Sequence, residues 1–214
     1  MQEYFSHVLA AQDFVFGQPK FLPSNVSQLA LALGDLNHIS LDVLKDVLEA
    51  DVFVVFGASF IKGALCEALV ERQAINIHMG ISPFYRGHSC NFWALNDGRP
   101  ELVGATIHRL SKGLDSGDML YHVFPRPEAV DQFVYGMLSV KAAHRALRDK
   151  IKSGEVFKAE SVKQNKGLHI RYSREADVTD DVAQQYLSRI PPLKTVEAAI
   201  SQRDLSAFIR PVLM

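Results

Sequence analysis

The sequence predicts an α/β fold built on a doubly wound, mostly parallel sheet. Residues 52–56 form a continuous, β-branched apolar run, which is typical of a strand covered on both faces. A helical pattern at 61–71 and a second apolar run at 74–78 follow at once. A strand, a helix and a strand in close succession make a βαβ unit, and the right-handed crossover of such units places helices on both faces of a sheet.

The chain before residue 50 is predicted to be helical, at 2–12 and at about 26–33. A third helix is expected after Ser40, because its hydroxyl can cap a helix and apolar residues recur at helical spacing from 41 to 48. This helix would lead directly into the first strand.

Beyond the βαβ unit the pattern predicts four further elements. They are a helix at 92–96, strands at 102–110 and 119–124, and a long helix at 129–151. We expect Phe92 and Trp93 to pack in the core, although either ring can stack on a ligand.

The last sixty or so residues are more polar and their predicted elements are shorter. Thr179 is followed by two aspartates, which favours a helix start, and the helix should end near Arg189 before two prolines. We therefore expect one domain at 1–153 and an extension at 154–214 that packs on it.

The composition is that of a soluble globular protein. Of 214 residues, 48% are hydrophobic and 22% are charged, and 23 basic residues balance 24 acidic ones. No chain-wide positive field exists to hold a polyanion, so a nucleic-acid partner is not expected. Two cysteines, Cys66 and Cys90, are too few for a disulfide framework, and with no signal peptide or membrane span the expected location is the cytoplasm.

A candidate site lies at the end of the second predicted strand. Asn76 and His78 are two residues apart, so both side chains point to one face, and ligands of open α/β sheets bind beyond the carboxyl ends of strands. A second candidate is the loop 113–118, which carries Asp115 between glycines. Each has a plain alternative: His78 as a hydrogen-bonded structural residue, and the loop as a hairpin turn. Together, an amide, an imidazole and a carboxylate can stabilise an oxyanion and move protons.

Other chemistries fit the sequence poorly. The stretch from Gly57 to Ile61 begins like a nucleophile elbow, but Ile61 replaces the second glycine of that motif, which disfavours a serine hydrolase. There is no glycine-rich dinucleotide fingerprint and no P-loop. His78, His108 and Asp115 could meet at a metal, but a metal site is not expected.

Four segments in order resemble the motifs of the folate-dependent formyltransferase family. They are Asn76-Ile77-His78, Ser82-Pro83-Phe84-Tyr85-Arg86-Gly87, Gly104-Ala105-Thr106-Ile107-His108 and Leu114-Asp115-Ser116-Gly117. That family includes methionyl-tRNA formyltransferase, glycinamide ribonucleotide transformylase, the sugar N-formyltransferases and formyltetrahydrofolate hydrolase. The resemblance is strong from about residue 51 to 120 and implies a Rossmann-like catalytic domain.

The resemblance implies an enzyme that transfers a formyl group from 10-formyltetrahydrofolate, as co-substrate, to a primary amine without a metal. Asn76 would hold the formyl oxygen, His78 would support its developing charge, and Asp115 would orient His78 and help carry the proton. The residue types agree, because the amine is its own nucleophile and no serine, thiolate or metal is required.

The resemblance also implies binding residues. The folate would lie between two loops, which comprise Phe56, Gly57, Ala58, Ser59, Phe60 and Ile61 in the first and Leu110, Gly113 and Leu114 in the second. Tyr85, Arg86 and Gly87 would contact the acceptor. One departure is Lys62, which stands where family members commonly have proline.

A larger departure is at the N-terminus, where the first βα unit of the family is expected to be missing. The chain is also too short and too neutral to supply the extra domain that holds tRNA in one branch, so the preferred partner is a small amine acceptor such as an amino sugar. A formyltetrahydrofolate hydrolase and a catalytically impaired folate-binding protein remain alternatives. A homodimer is left open.

Overall fold

The computed structural model describes residues 1–18 and 21–214, and it confirms the α/β class. The helices are α1 (Gln2–Phe16), α2 (Gly63–Glu71), α3 (Cys90–Asn96), α4 (Gln132–Lys152), α5 (Glu155–Lys158), α6 (Asp180–Ser188) and α7 (Leu193–Ser201). The strands are β1 (Val54–Phe56), β2 (Ile75–His78), β3 (Tyr85–Gly87), β4 (Ala105–Arg109), β5 (Met119–Phe124), β6 (Arg171–Ser173) and β7 (Val212–Leu213).

The main sheet has five strands in the order β1-β2-β4-β5-β7. β1 is parallel to β2 and β5 is parallel to β7, whereas β4 is antiparallel to both of its neighbours. The sheet is therefore mixed. β4 and β5 are antiparallel because a short loop joins them, and parallel strands need a longer crossover connection. A second, two-stranded sheet pairs β3 with β6 in parallel.

Helices cover both faces of the main sheet. On one face, Ile75, Ile77 and Ile107 pack against Ala143 and Leu147 of α4 in a closed core. On the other face, a smaller core forms around α2 and takes in the inward side chain of β1. This is the doubly wound arrangement that the βαβ pattern predicts.

β1 corrects one expectation. Val54 is 45% exposed and Phe56 is 43% exposed, so this strand is not covered on both faces as its apolar run predicts. The reason is its position at the edge of the sheet, where it pairs only with β2 and a single side chain, Val55, packs toward α2.

The predicted helices at 26–33 and after Ser40 are absent. Residues 21–33 contain only isolated turns, and 41–46 form turns followed by a 3₁₀ turn at Val47–Glu49. Hydrogen bonds there run mostly from the amide of residue i+3 to the carbonyl of residue i. Leu41 and Leu44 are only half-buried against the core around α2, and this partial burial does not sustain an α-helix. By contrast, α1 extends past its predicted end at residue 12 to Phe16 and stops at Gly17.

Residues 154–214 contribute a strand to each sheet, β6 to the small one and β7 to the main one. The helix predicted from Thr179 is confirmed as α6, and the Thr179 hydroxyl accepts a hydrogen bond from the Val182 amide at 3.3 Å. Within the described part of the chain, no helix is long and apolar enough to span a membrane.

Candidate active site

Polar side chains from two neighbouring strands share one face of the main sheet. Asn76 and His78 both lie on β2, and the antiparallel ladder pairs Asn76 with His108 on β4. Because side chains alternate between faces, the three project to the same side, opposite to the isoleucines that pack on α4. The site is thus positioned by a buried central strand.

Asn76 and His108 form a hydrogen-bonded pair. The Asn76 amide nitrogen lies 3.0 Å from Nε2 of His108, and Nδ1 of His108 lies 2.7 Å from the carbonyl oxygen of Arg109. A carbonyl only accepts, so Nδ1 carries the proton and Nε2 accepts from the amide. Burial, opposed by the bond to Arg109, lowers the pKa of His108 to about 4, so the ring is neutral near neutral pH. The ring therefore fixes the orientation of the Asn76 amide.

His78 and Asp115 form a buried ion pair. Nδ1 of His78 lies 3.4 Å from Oδ1 of Asp115, and Nε2 of His78 lies 3.1 Å from the carbonyl oxygen of Tyr85. Burial lowers the pKa of His78, but the side chains of Cys90 and Asp115 outweigh burial and raise this pKa well above its usual 6.5. Burial also raises the pKa of Asp115, which the hydrogen bond and charge of His78 overcome, so this pKa is lowered. An imidazolium beside a carboxylate results.

Asp115 and its loop are held in place by contacts from two other parts of the chain, β3 and the C-terminal extension. Its backbone has a left-handed φ of 45°, which a non-glycine residue keeps only where the surroundings impose it. The Gly87 amide donates to Oδ2 of Asp115 at 3.1 Å, and the Arg86 guanidinium donates to the Leu114 carbonyl at 2.7 Å. From the C-terminal extension, Gln164 donates to the Asp115 carbonyl at 2.8 Å.

Two glycines let the backbone segments around Asp115 meet. A Cβ at Gly87 would overlap the carbonyl oxygen of Ser173, and Gly87 also has a φ of 91°. A Cβ at Gly117 would overlap the carbonyl oxygen of Arg109. Both positions therefore require glycine. The close approach at Gly87 also keeps its amide within reach of the Asp115 carboxylate.

A cavity of about 750 Å³ opens beside these groups. This volume is in the range of small-molecule sites. All three predicted catalytic residues line it, together with part of both predicted folate loops. The lining residues from those loops are Phe56, Gly57, Ala58, Ser59, Phe60 and Leu114. Gly87 lines the cavity as well, so one of the three predicted acceptor-binding residues faces it.

The other predicted binding residues lie outside the lining. Ile61 is buried in the core beneath α2, and Leu110 packs against the same core. Gly113 sits against the Ser116 side chain. The Tyr85 hydroxyl donates to Asp97 at 3.1 Å, and Arg86 is committed to the loop that carries Asp115. For Tyr85 and Arg86 the structure therefore favours a positioning role over contact with a ligand.

Asn37 is a site-supporting residue that the sequence did not indicate. Its amide nitrogen donates to the Phe60 carbonyl at 3.0 Å, and its amide oxygen accepts from the Lys62 amide at 2.6 Å. A proline at position 62 would have no N–H to give, whereas Lys62 does. Asn37 therefore pairs with the Lys62 N–H, which a proline would lack, and it fixes the end of the first predicted folate loop.

The sequence indicates His108 as part of a family motif and as a conceivable metal ligand, whereas its pairing with Asn76 follows only from the strand register. Among the described residues no group of three histidine, cysteine, aspartate or glutamate side chains is arranged to hold a metal. The arrangement that is present suits polar catalysis: an oriented amide and an imidazolium can stabilise an oxyanion, and a carboxylate can hold a proton.

Comparison with known proteins agrees with this geometry. Residues 37–129, which contain every residue of the pair Asn76–His108 and the pair His78–Asp115, match the family described as formyl transferase. The matched segment runs from Asn37 to residue 129, just before α4 begins.

Curated proteins similar to part of this chain include methionyl-tRNA formyltransferases. The protein from Anaeromyxobacter sp. (strain K) is 37% identical over 73 residues, which are 34% of this chain and 23% of that protein. The protein from Protochlamydia amoebophila (strain UWE25) is 33% identical over 121 residues, which are 56% of this chain and 34% of that protein. The matched region thus spans between 23% and 34% of the length of these relatives.

Solved formyltransferase structures share the fold. The formyltransferase PseJ from Anoxybacillus kamchatkensis, solved with UDP-4,6-dideoxy-4-formamido-L-AltNAc and tetrahydrofolate, has a TM-score of 0.51 at 22% identity, covering 71% of this chain and 79% of that one. A 4-N formyltransferase from Francisella tularensis has a TM-score of 0.51 at 20% identity, covering 77% of this chain and 66% of that one. The formyltransferase fold is thereby supported beyond the matched segment.

Proposed function

We propose that this protein transfers a formyl group from 10-formyltetrahydrofolate to the primary amine of a small acceptor. The observation that carries the proposal is the placement of Asn76, His78 and Asp115 on the wall of one cavity, beside the loop at 56–60. The formyl transferase match of residues 37–129 supports it.

The cavity suits a folate co-substrate in two respects. Its volume is adequate for a ring system of drug-like size. The loop at 56–60 contains a glycine, an alanine and a serine, whose small side chains leave backbone amides and carbonyls free to meet ring heteroatoms. When bound, 10-formyltetrahydrofolate supplies a formyl carbon carried on a nitrogen leaving group.

The residues of the site have distinct tasks in the proposed reaction. As the amine nitrogen attacks and a new C–N bond forms, the formyl oxygen becomes negative, and the Asn76 amide and the His78 imidazolium stabilise that charge. The Asp115 carboxylate keeps His78 protonated and takes up the amine proton through water. The bond to the folate nitrogen then breaks and that nitrogen receives the proton, so atoms and charge balance.

For the acceptor we propose an amino sugar. The segment from Tyr85 to Leu95, which contains Arg86-Gly87, resembles the arginine-glycine form of branches other than glycinamide ribonucleotide transformylase. His88, Ser89, Cys90 and Asn91 line the cavity, which gives the acceptor polar neighbours.

The test is release of tetrahydrofolate from 10-formyltetrahydrofolate, measured with and without a panel of primary amines that includes free and nucleotide-linked amino sugars. Amine-dependent release is the expected result. Release without any amine would replace the proposal with a hydrolase. Folate binding without release would replace it with a catalytically impaired folate-binding protein.

A further inference from the structure

One end of the cavity is walled by helices rather than by the sheet. It is formed by Tyr4 of α1, Phe92 of α3, Gln132 and Phe133 of α4, and Tyr186 of α6, with Glu175 beside them. We call this set the helical end. The loop at 56–60 lies farther along α4, where the Phe56 ring is 4.4 Å from that of His144, about three turns from Gln132. The helical end is therefore not needed for the proposed folate contacts.

Gln132 is the unexplained polar group of the helical end. Its side chain is 3% exposed, and its amide nitrogen is buried with no hydrogen-bond partner in the described part of the chain. The neighbouring Asp131 already caps α4 by accepting from the Phe133 and Val134 amides at 2.8 and 2.9 Å, so Gln132 is not needed as a cap. A buried amide without a partner is unfavourable, which makes Gln132 a candidate for bonding a ligand in the cavity it lines.

The walls around Gln132 are aromatic. Tyr4 lies at the centre, with its ring 5.5 Å from Phe92, 5.6 Å from Phe133 and 6.1 Å from Tyr186, all edge-on. Phe92 and Tyr186 lie 4.6 Å apart. Phe92, Phe133 and Tyr186 are 7%, 9% and 5% exposed and belong to one core cluster, so their packing holds this wall rigid and only small parts of the rings reach the cavity. The wall thus offers an apolar surface against which a ligand ring can pack.

The imidazolium of His78 and the carboxylate of Asp115 offset each other on the cavity wall, which leaves Glu175 as the uncompensated charge among the described lining residues. Asp115 and Glu175 both line the cavity, and no lysine or arginine is among the described lining residues. Asp115 is paired with His78, whereas Glu175 is exposed and its carboxylate is in no ion pair within 1–18 and 21–214. A carboxylate attracts an ammonium group and repels a phosphate.

We propose that the helical end is the acceptor subsite and that it takes a phosphate-free primary amine whose ring packs against the aromatic wall, with Gln132 hydrogen-bonded to it. This inference rests on the proposed formyl transfer and narrows its acceptor to amines without a nucleotide. Gln132 sets the position of the acceptor, while Asn76 and His78 act on the formyl group.

The inference is tested with three probes: glucosamine, tyramine and a UDP-linked amino sugar. We expect tetrahydrofolate release to be supported by glucosamine or tyramine with a higher kcat/KM than by the UDP-linked probe. Release supported only by the UDP-linked amine would overturn the inference and leave the proposed transfer standing. Absence of amine-dependent release with all three would count against the transfer itself.

The variant Gln132→Leu separates the subsite from the chemistry. We expect it to raise the KM for the accepted amine by about tenfold, the effect of one lost hydrogen bond, and to leave the KM for 10-formyltetrahydrofolate unchanged. Gln184→Leu, an exposed glutamine of α6 that does not line this cavity, is the matched control. An unchanged amine KM in Gln132→Leu, with folding checked by thermal unfolding, would remove Gln132 from the subsite.

Calorimetry covers the case in which turnover is too slow to measure. Glucosamine and tyramine are titrated separately into the protein loaded with tetrahydrofolate, in the parent protein and in Glu175→Gln. We expect at least one of the amines to bind, and Glu175→Gln to weaken the binding of that amine, because its ammonium loses a carboxylate partner. Failure of both amines to bind would overturn the assignment of the helical end.

Discussion

The carboxylate of Asp115 bridges the imidazole of His78 and the backbone of Gly87. Oδ1 lies 3.4 Å from Nδ1 of His78, and Oδ2 accepts from the Gly87 amide at 3.1 Å. The first contact favours the imidazolium and the second fixes the angle from which the carboxylate approaches. Since Gly87 itself lines the cavity, the pair is held at the wall where the reaction is proposed to occur.

The variant Asp115→Asn should lower kcat by about 10²–10⁴-fold, the usual contribution of a positioned acid-base group. The asparagine keeps the shape but loses the charge. The proposed reaction uses the imidazolium of His78, so we expect activity to fall as the pH rises through the raised pKa of His78. Because Asp115 helps to raise that pKa, the alkaline limb of the pH profile should move to lower pH in the variant. Steady-state tetrahydrofolate release across pH measures both effects.

Asp118→Asn is the control for this experiment, since Asp118 belongs to the same loop but does not line the cavity. It should retain the parent pH profile. A profile of Asp115→Asn that keeps its alkaline limb in place would show that the carboxylate does not govern His78.

The parts of the fold that the sequence predicts well are those whose apolar residues are buried on a regular period. The strand expected at 119–124 is found as β5 with the same bounds, and all six of its residues are buried. The segment after Ser40 has apolar residues at helical spacing, but they are only half-buried, and the segment forms turns instead of the predicted helix. β1 has the apolar pattern of a strand, but this pattern does not show that the strand lies at the edge of the main sheet.

The site was predictable where it depends on a single strand and not where it depends on contacts between distant segments. Asn76 and His78 follow from the alternation of one strand. The hydrogen bond between Asn76 and His108 joins residues 32 apart, and that between Asn37 and Phe60 joins residues 23 apart. Both depend on register and loop path, which a local pattern does not encode.

His108→Phe should lower kcat by about tenfold to a hundredfold, because it releases the Asn76 amide from the orientation that its ring imposes. His108→Gln, which can accept the same hydrogen bond, should recover part of the loss. The KM for 10-formyltetrahydrofolate should change little in either variant. Rates are measured at saturating co-substrate.

His122→Phe is the matched control, because His122 is also buried with a pKa lowered by burial to about 4 but bonds to the Ser82 carbonyl and the Ile209 amide. His122→Phe should lower the free energy of unfolding and leave kcat unchanged. Equal kcat losses in the two phenylalanine variants would mean that His108 acts through general packing.

Asn37→Ala should weaken the binding of 10-formyltetrahydrofolate, with a smaller effect on kcat. The substitution frees the Phe60 carbonyl and the Lys62 amide, so the loop at 56–60 loses two ties to the rest of the chain. We expect the dissociation constant to rise by about threefold to tenfold, in line with the loss of one net hydrogen bond. Asn165→Ala, which breaks a side-chain bond in a loop outside the cavity, should leave binding unchanged in the same fluorescence titration.

Acid should destabilise the protein through its buried neutral histidines. Burial lowers the pKa of His108 and of His122 from 6.5 to about 4, so the unfolded chain binds more protons than the folded one between these values. Each ring should lower the free energy of unfolding by about 1.4 kcal/mol per pH unit as the pH falls from 6.5 toward 4. His78 acts in the opposite sense: because its pKa is raised, its contribution is complete below 6.5 and is lost only as the pH rises.

Urea unfolding at a series of pH values between 6.5 and about 4 isolates this effect. The variant His122→Gln removes one of the two rings, so its plot of unfolding free energy against pH should be flatter than that of the parent by about 1.4 kcal/mol per unit. His144→Gln, a change at an exposed histidine of α4, should keep the parent slope. A parent slope near zero in this range would mean that His108 and His122 take up protons in the folded protein as readily as in the unfolded one, and their burial would then have to be relieved by local opening.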